Sequence, residues 1–262
     1  MHIPTPMTDP GTPSLRIDGP VATLCLARPE HRNRLHAADL VALMQHFRQI
    51  QDTPQIRVVV LSAQVAGPRP VFCAGYHIGE HGQETEGAHF EEVADTLEAL
   101  RPVTVCALNG SIYGGATDLA LACDFAIGVT GMEMRMPAAA LGLHYYPGGV
   151  GRFVSRLGLV HAKRAFLGAE TLGDQELLRI GYVQQLVPPD THAEAVAAKV
   201  QSLLALAPLA QHTLKASLNE LARGQAQAEV LRARMHLTQS SHDFAEACAA
   251  FVAKRPAQFT GQ

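Results

Sequence analysis

The chain of 262 residues has little of what marks several common functions. It has no basic block: 21 Lys and Arg against 24 Asp and Glu give a formal net charge of −3, which argues against a nucleic-acid partner. Its five cysteines (Cys25, Cys73, Cys106, Cys123, Cys248) are odd in number and show no C-x-x-C spacing. That argues against a disulfide frame or a structural zinc, and most of them sit in apolar runs, as buried free thiols in a reducing compartment do. Residues 1–14, rich in Pro and Thr, have no apolar stretch of the kind a signal peptide needs and read as a flexible tail. The most apolar segment, 103–129, is broken by Asn109, Asp118, Asp124 and four glycines, which argues against a membrane span. No internal repeat, low-complexity tract or G-x-S-x-G nucleophile motif occurs. The expectation is a cytoplasmic protein with neither nucleic acid nor membrane as partner.

What is present is a globular composition, 47% hydrophobic and 17% charged, in a chain long enough for a sizeable core. Residues 15–26 alternate around Ile17, Val21, Leu24 and Leu26 with a Gly19-Pro20 turn, which predicts a hairpin of edge strands. Leu40, Leu43, Met44, Phe47 and Ile50 form a helical stripe, and 57–61 is a buried strand. A helix is predicted over 90–100, a strand over 125–129, a helix over 158–168 and a last strand over 182–187. The intervening 137–152 reads as a glycine-rich segment carrying His144-Tyr145-Tyr146. Alternating strands and helices predict an α/β core over 15–195. Beyond it, 196–262 shows only helical stripes, entered through a Thr191/Glu194 capping-box spacing. The apolar faces of those helices need a partner, either the core or another subunit.

The chain is organised around residues 101–124, RPVTVCALNGSIYGGATDLALACD. A short β-branched apolar run breaks at Asn109-Gly110 and Gly114-Gly115 and then continues as a helix, with Asp118 in its first turn. Such a turn aims backbone N–H groups at an anion. A second glycine turn, Ala74-Gly75-Tyr76, follows another strand candidate. If the two strands are neighbours, the N–H groups of Tyr76 and Gly115 converge on one oxygen.

The order and spacing of these pieces resemble the crotonase (enoyl-CoA hydratase/isomerase) family. They are RPEHRN at 28–33, FCAGYHI at 72–78, the 101–124 stretch, MPAAALGL at 136–143, RFVSRLG at 152–158, GYVQQLVP at 181–188 and FVAKRPAQF at 251–259. The resemblance covers nearly everything after residue 14. It implies the ClpP/crotonase α/β fold, a spiral of β-β-α units with a helical C-terminal trimerisation region, assembled as a homotrimer or a dimer of trimers. It implies an acyl-CoA thioester as substrate, no cofactor beyond the coenzyme A that the substrate carries, and an enolate held by the N–H groups of Tyr76 and Gly115.

Hydratases of this family use two glutamates, which fall here at Asp118 and Ala138. A shorter acid thus stands at one position and none at the other. His144 and Tyr145 are the further proton-handling candidates. Tyr145 falls where methylmalonyl-CoA decarboxylases of the family carry an active-site tyrosine, and Tyr146 falls where its aroyl-CoA dehalogenases place a nucleophilic aspartate. Arg28, Arg32 and Lys254 are candidates for the coenzyme A phosphates. Ala74, Gly75, His77, Ile78, Gly114, Ala138, Leu143 and Tyr146 are candidates for the rest of the substrate site. The readings that stay open are a hydratase or isomerase, a malonyl-type decarboxylase and a thioester binder with little activity. A metal hydrolase is a further class, because His77-Ile78-Gly79-Glu80-His81 matches H-x-x-E-H. Its glycines argue for a loop and no third ligand follows, so no metal site is expected.

Overall fold

A computed structural model describes residues 11–77, 79 and 89–262. The chain enters through β1 (Ser14–Asp18) and β2 (Val21–Leu26), an antiparallel pair. Helix α1 (Ala37–Gln51) leads to β3 (Val58–Ala63) and β4 (Val71–Cys73), and α2 (Phe90–Ala99) to β5 (Val103–Leu108). There follow β6 (Ser111–Tyr113), α3 (Ala116–Ala122), β7 (Phe125–Val129) and β8 (Glu133–Arg135). The chain continues through α4 (Pro147–Leu157), α5 (Leu159–Phe166), β9 (Thr171–Gly173), α6 (Asp174–Arg179) and β10 (Gln185–Val187). Four helices end it: α7 (His192–Leu204), α8 (Pro208–Ala222), α9 (Ala228–Gln239) and α10 (His242–Val252).

The strands form two sheets. The larger runs β1-β2-β3-β5-β7-β10 and is parallel except at its β1 edge; the smaller runs β4-β6-β8-β9. Strand β5 is buried along its whole length and β3 nearly so, which is why both read as unbroken apolar runs. Their side chains alternate between two cores. Val58, Val60, Val103 and Val105 pack with Val200 and Leu203 of α7, while Val59, Leu61 and Cys106 join Leu43, Phe47 and Leu97 of α1 and α2. Helix α7 therefore closes one face of the large sheet, and α1 and α2 close the other.

Several local expectations change. Strand β2 is an interior strand, because β3 pairs with it in parallel and leaves β1 alone at the edge. The glycine-rich segment, to which the sequence assigns no element, becomes helix α4 from Pro147 onward. Proline at its first turn needs no N–H donor, and burial of Gly149, Arg152, Phe153 and Leu157 along one face outweighs the poor helix propensity of glycine. Short β6, β8, β9 and α6 carry too few residues for a periodic signal. Only 185–187 of the predicted last strand pairs; Tyr182 is instead buried, its hydroxyl donating to the Thr117 carbonyl at 3.0 Å. The Thr191/Glu194 capping box does not form. Thr191 has φ −101° and ψ 0°, and its hydroxyl donates to the Pro188 carbonyl. Among the described residues, no single helix is long and apolar enough to cross a membrane.

Candidate active site

Strands β4 and β6 are hydrogen-bonded parallel neighbours, with Val71 opposite Ser111 and Cys73 opposite Ile112. The turns at their C-terminal ends therefore leave the sheet side by side. Gly75 has φ +93° and Gly114 φ +55°, backbone regions that glycine alone enters cheaply. A Cβ on Gly75 would lie 2.9 Å from the Tyr113 carbonyl oxygen and 3.2 Å from the Gly115 nitrogen, so the two turns touch backbone to backbone. The Leu35 N–H donates to the Gly75 carbonyl and the His77 N–H to the Leu35 carbonyl, each at 2.9 Å. Strand alternation then turns the Tyr76 peptide to the side away from Leu35. Gly115 is the N-cap of α3, where its N–H stands outside the helical ladder. The Phe90 ring, at the start of α2, covers this point: a Cβ on Gly115 would lie 3.0 Å from it.

The first turn of α3 carries Asp118, which is 0% exposed. Its Oδ1 accepts from Arg152 Nε at 2.9 Å and its Oδ2 from Arg152 Nη2 at 2.7 Å, a two-point fork from the inner face of α4. The Tyr146 hydroxyl donates to the same Oδ2 at 2.5 Å, and the Tyr145 hydroxyl donates to Tyr146 at 3.0 Å. The two tyrosine rings lie 4.1 Å apart, and Tyr146 is 6.2 Å from Phe90. Gly149 makes room for them, since a Cβ there would meet the Tyr145 ring at 2.2 Å. Burial and the Asp118 charge push both tyrosines above their ordinary pKa, so both stay protonated. Burial alone would lower the pKa of Arg152, but its hydrogen bonds to Asp118 and Asp95 and the charge of Glu98 hold it above the ordinary value.

The other candidates make contacts of their own. Arg28 is committed to Asp39 through a fork at 2.6 and 3.2 Å and donates to the Arg34 carbonyl. Arg32 is exposed at φ 53°, its carbonyl accepting from the Ala74 N–H. Lys254 is exposed just past α10. Leu143 and His144 are exposed, and His144 Nδ1 lies 2.8 Å from the Tyr145 carbonyl. Ala138 is buried ahead of a short 3-10 turn. The His77 ring lies 5.0 Å from that of His36. Ile78, Glu80 and His81 lie outside the described residues, and among those described no cluster of three His, Cys, Asp or Glu side chains could hold a metal ion.

The family model described as Enoyl-CoA hydratase/isomerase matches residues 16–262, nearly the whole chain. The chain belongs to the enoyl-CoA hydratase/isomerase family. Among its relatives is the enoyl-CoA isomerase/hydratase fer4 of Mycosarcoma maydis, 30% identical over 91% of this chain and 92% of that one. Another is the crotonyl-CoA hydratase of Syntrophomonas wolfei, 27% identical over 91% and 94%. The crystal structure of a putative enoyl-CoA hydratase/isomerase family protein from Hyphomonas neptunium superposes with a TM-score of 0.87 at 25% identity, covering 98% of this chain and all of that one. The fold is thus the crotonase α/β fold that the motifs implied.

Within this hydratase/isomerase fold, four residues around the centre were not legible beforehand: Phe90, Asp95, Glu98 and Arg152. An arginine buried on the inner face of a helix is invisible while its segment reads only as glycine-rich. Asp95 and Glu98 sit on α2, where carboxylates ordinarily mark a solvated face. Glu98 is 4% exposed and accepts from Arg152 at 3.1 Å, from Arg156 at 3.2 Å and from Arg223, just past α8. Burial alone would raise its pKa; the charges of Arg152, Arg223 and Arg156 outweigh that and hold it below the ordinary range. A carboxyl with a lower pKa folded than unfolded contributes stability that is present above about pH 4.3 and is lost as pH falls through the folded value. The melting temperature of the wild type is therefore expected to fall more steeply than that of Glu98→Gln below about pH 4.3, as followed by circular dichroism.

Proposed function

We propose that the protein is an enzyme acting on an acyl-CoA thioester, and that the Tyr76 and Gly115 N–H groups hold the thioester oxygen as it becomes an enolate. The observation that carries this reading is the contact of the two glycine turns at the ends of neighbouring strands β4 and β6. Two such donors act on charge that develops only in the transition state, each worth roughly 10²–10³ in rate. Arg32 and Lys254 remain available for the coenzyme A phosphates, whereas Arg28 is occupied by Asp39. Leu143 and His144 stand on the segment that leads into the tyrosine pair. The exposed Leu214, Leu218 and Leu221 of α8 and Phe251 of α10 support assembly of the C-terminal region into a homotrimer or a dimer of trimers.

The crotonyl-CoA hydratase and enoyl-CoA isomerase/hydratase relatives favour hydration or isomerisation as the reaction class. A specific observation favours a second reading. Asp118 is taken up by Arg152, and alanine stands at 138, so neither position where hydratases of the family carry a glutamate offers an unengaged carboxylate, while two protonated tyrosines stand beside Asp118. Such a site can protonate an enolate but lacks, at those two positions, the base that would take a proton from water as it adds to an enoyl thioester. An enolate released by breaking a carbon–carbon bond, as when a malonyl-type thioester loses carbon dioxide, needs only the donors and an acid.

Incubation of the protein with crotonyl-CoA and with methylmalonyl-CoA, followed by mass spectrometry, separates the two. Conversion of methylmalonyl-CoA to propionyl-CoA is expected on the second reading, and 3-hydroxybutyryl-CoA on the first. Tight binding of both thioesters without turnover would reduce the protein to a binder.

A further inference from the structure

The role of Asp118 is decided by what surrounds it. A buried carboxylate at this place would serve as acid or base only if one oxygen faced the reacting carbon. Here Arg152 takes one oxygen and shares the other with Tyr146. Arg152 cannot swing away, because its remaining nitrogen Nη1 donates to Asp95 at 2.6 Å and to Glu98 at 3.1 Å. Tyr146 is fixed in turn by the Tyr145 ring at 4.1 Å and by the Tyr145 hydroxyl. It is also the tyrosine that reaches Phe90, and hence the Gly115 turn.

We propose that Arg152 is a positioning residue: it makes Asp118 a fixed hydrogen-bond acceptor, which presents the Tyr146 hydroxyl as the proton donor to the thioester enolate. This rests on the enolate reading above. When the enolate forms, the Tyr146 hydrogen turns from Asp118 Oδ2 to the α-carbon. The carbon–carbon π pair of the enolate forms the C–H bond, the O–H bond breaks and leaves its pair on the Tyr146 oxygen, and a lone pair of the enolate oxygen re-forms the thioester carbonyl. The Tyr146 oxygen then takes the proton that Tyr145 already donates to it, and Tyr145 recovers one from water, whose hydroxide passes to the solvent. Asp118 never gains or loses a proton.

The test uses the full-length chain with methylmalonyl-CoA and crotonyl-CoA as probes, in the variants Arg152→Gln, Arg152→Lys, Tyr146→Phe and Arg152→Gln with Tyr146→Phe. Arg152→Gln is expected to lower kcat by about 10²-fold, the share of a positioned general acid, with KM within about threefold. Arg152→Lys, which keeps the charge and loses the fork, should recover part of that loss, and it carries the test if the glutamine variant does not fold. Tyr146→Phe should add little in the Arg152→Gln background, because the two residues act as one unit. Multiplicative losses, a rise in KM that matches the fall in kcat, or equal activity of the lysine and glutamine variants would overturn the proposal. A second readout needs no turnover: with tyrosine Cζ labelled with carbon-13, the Tyr146 resonance should shift in both Arg152 variants, while that of Tyr113, bonded to Glu133, stays in place. An unmoved Tyr146 resonance refutes the positioning role. A moved resonance in a protein that turns over neither thioester refutes the enolate reading alone.

Discussion

Gly75→Ala is expected to lower turnover by at least about 10²-fold and to destabilise the fold by about 1–3 kcal/mol through backbone strain, before any clash is counted. At φ +93° a side chain is strained whatever the space around it. The space is also closed. The new Cβ would meet the Tyr113 carbonyl oxygen at 2.9 Å and the Gly115 nitrogen at 3.2 Å, and neither is the far end of a side chain that can rotate away. One of the two turns must shift, and these turns carry both proposed oxyanion donors. A misplacement of about 1 Å at such a centre costs on the order of 10²-fold. Gly19→Ala supplies the control. Its φ is also positive, at +52°, but nothing lies within 4 Å of the added carbon. It should therefore show the strain as a lower urea midpoint while kcat stays at the wild-type value. Equal activity of the two variants would mean that the contact between the turns does not matter for the reaction.

The same contact shows what could be learned before the structure. Strand β5, helix α3 and the two glycine turns were legible because each has a local signature: a buried apolar run, a helical former after glycine, a residue type that tolerates positive φ. Whether the turns meet was not local. It depended on β4 and β6 being neighbours, and a strand of three residues has no periodicity by which to recognise it. Asp118 illustrates the other limit. Its place in the first turn of α3 was clear, and a carboxylate near a helix start is ordinarily either a dipole partner or a catalyst. Which one it is depends on Arg152, 34 positions later, on a helix whose glycines and proline hid it. Composition shows that a charge exists; only packing shows what neutralises it. For the same reason the motif at 28–33 did not reveal that Arg28 pairs with Asp39.

That dependence makes Arg152→Met the most destabilising single change expected among the charged residues. Arg152 faces three carboxylates, and they do not lose equally. Asp95 has a 40% exposed side chain, so water replaces the arginine there. Glu98, although buried, keeps Arg156 and Arg223. Asp118 has no exposure, and among the described residues Arg152 is the cation within ion-pair distance of it. Removing one partner of such a pair leaves an uncompensated buried charge and costs about 3–5 kcal/mol, whereas removing both is often close to neutral. The urea midpoint of Arg152→Met should therefore fall sharply, and Asp118→Asn added to it should restore most of the loss, since the asparagine amide still accepts from Tyr146 without carrying charge. The two changes would then be strongly non-additive, by more than 1 kcal/mol. Additive losses would instead place the destabilisation in the packing of the arginine stem on α4. A double variant as stable as the wild type yet without turnover would separate the two jobs of the ion pair: neutralising Asp118, which asparagine can imitate, and aiming the Tyr146 hydroxyl, which needs the fork.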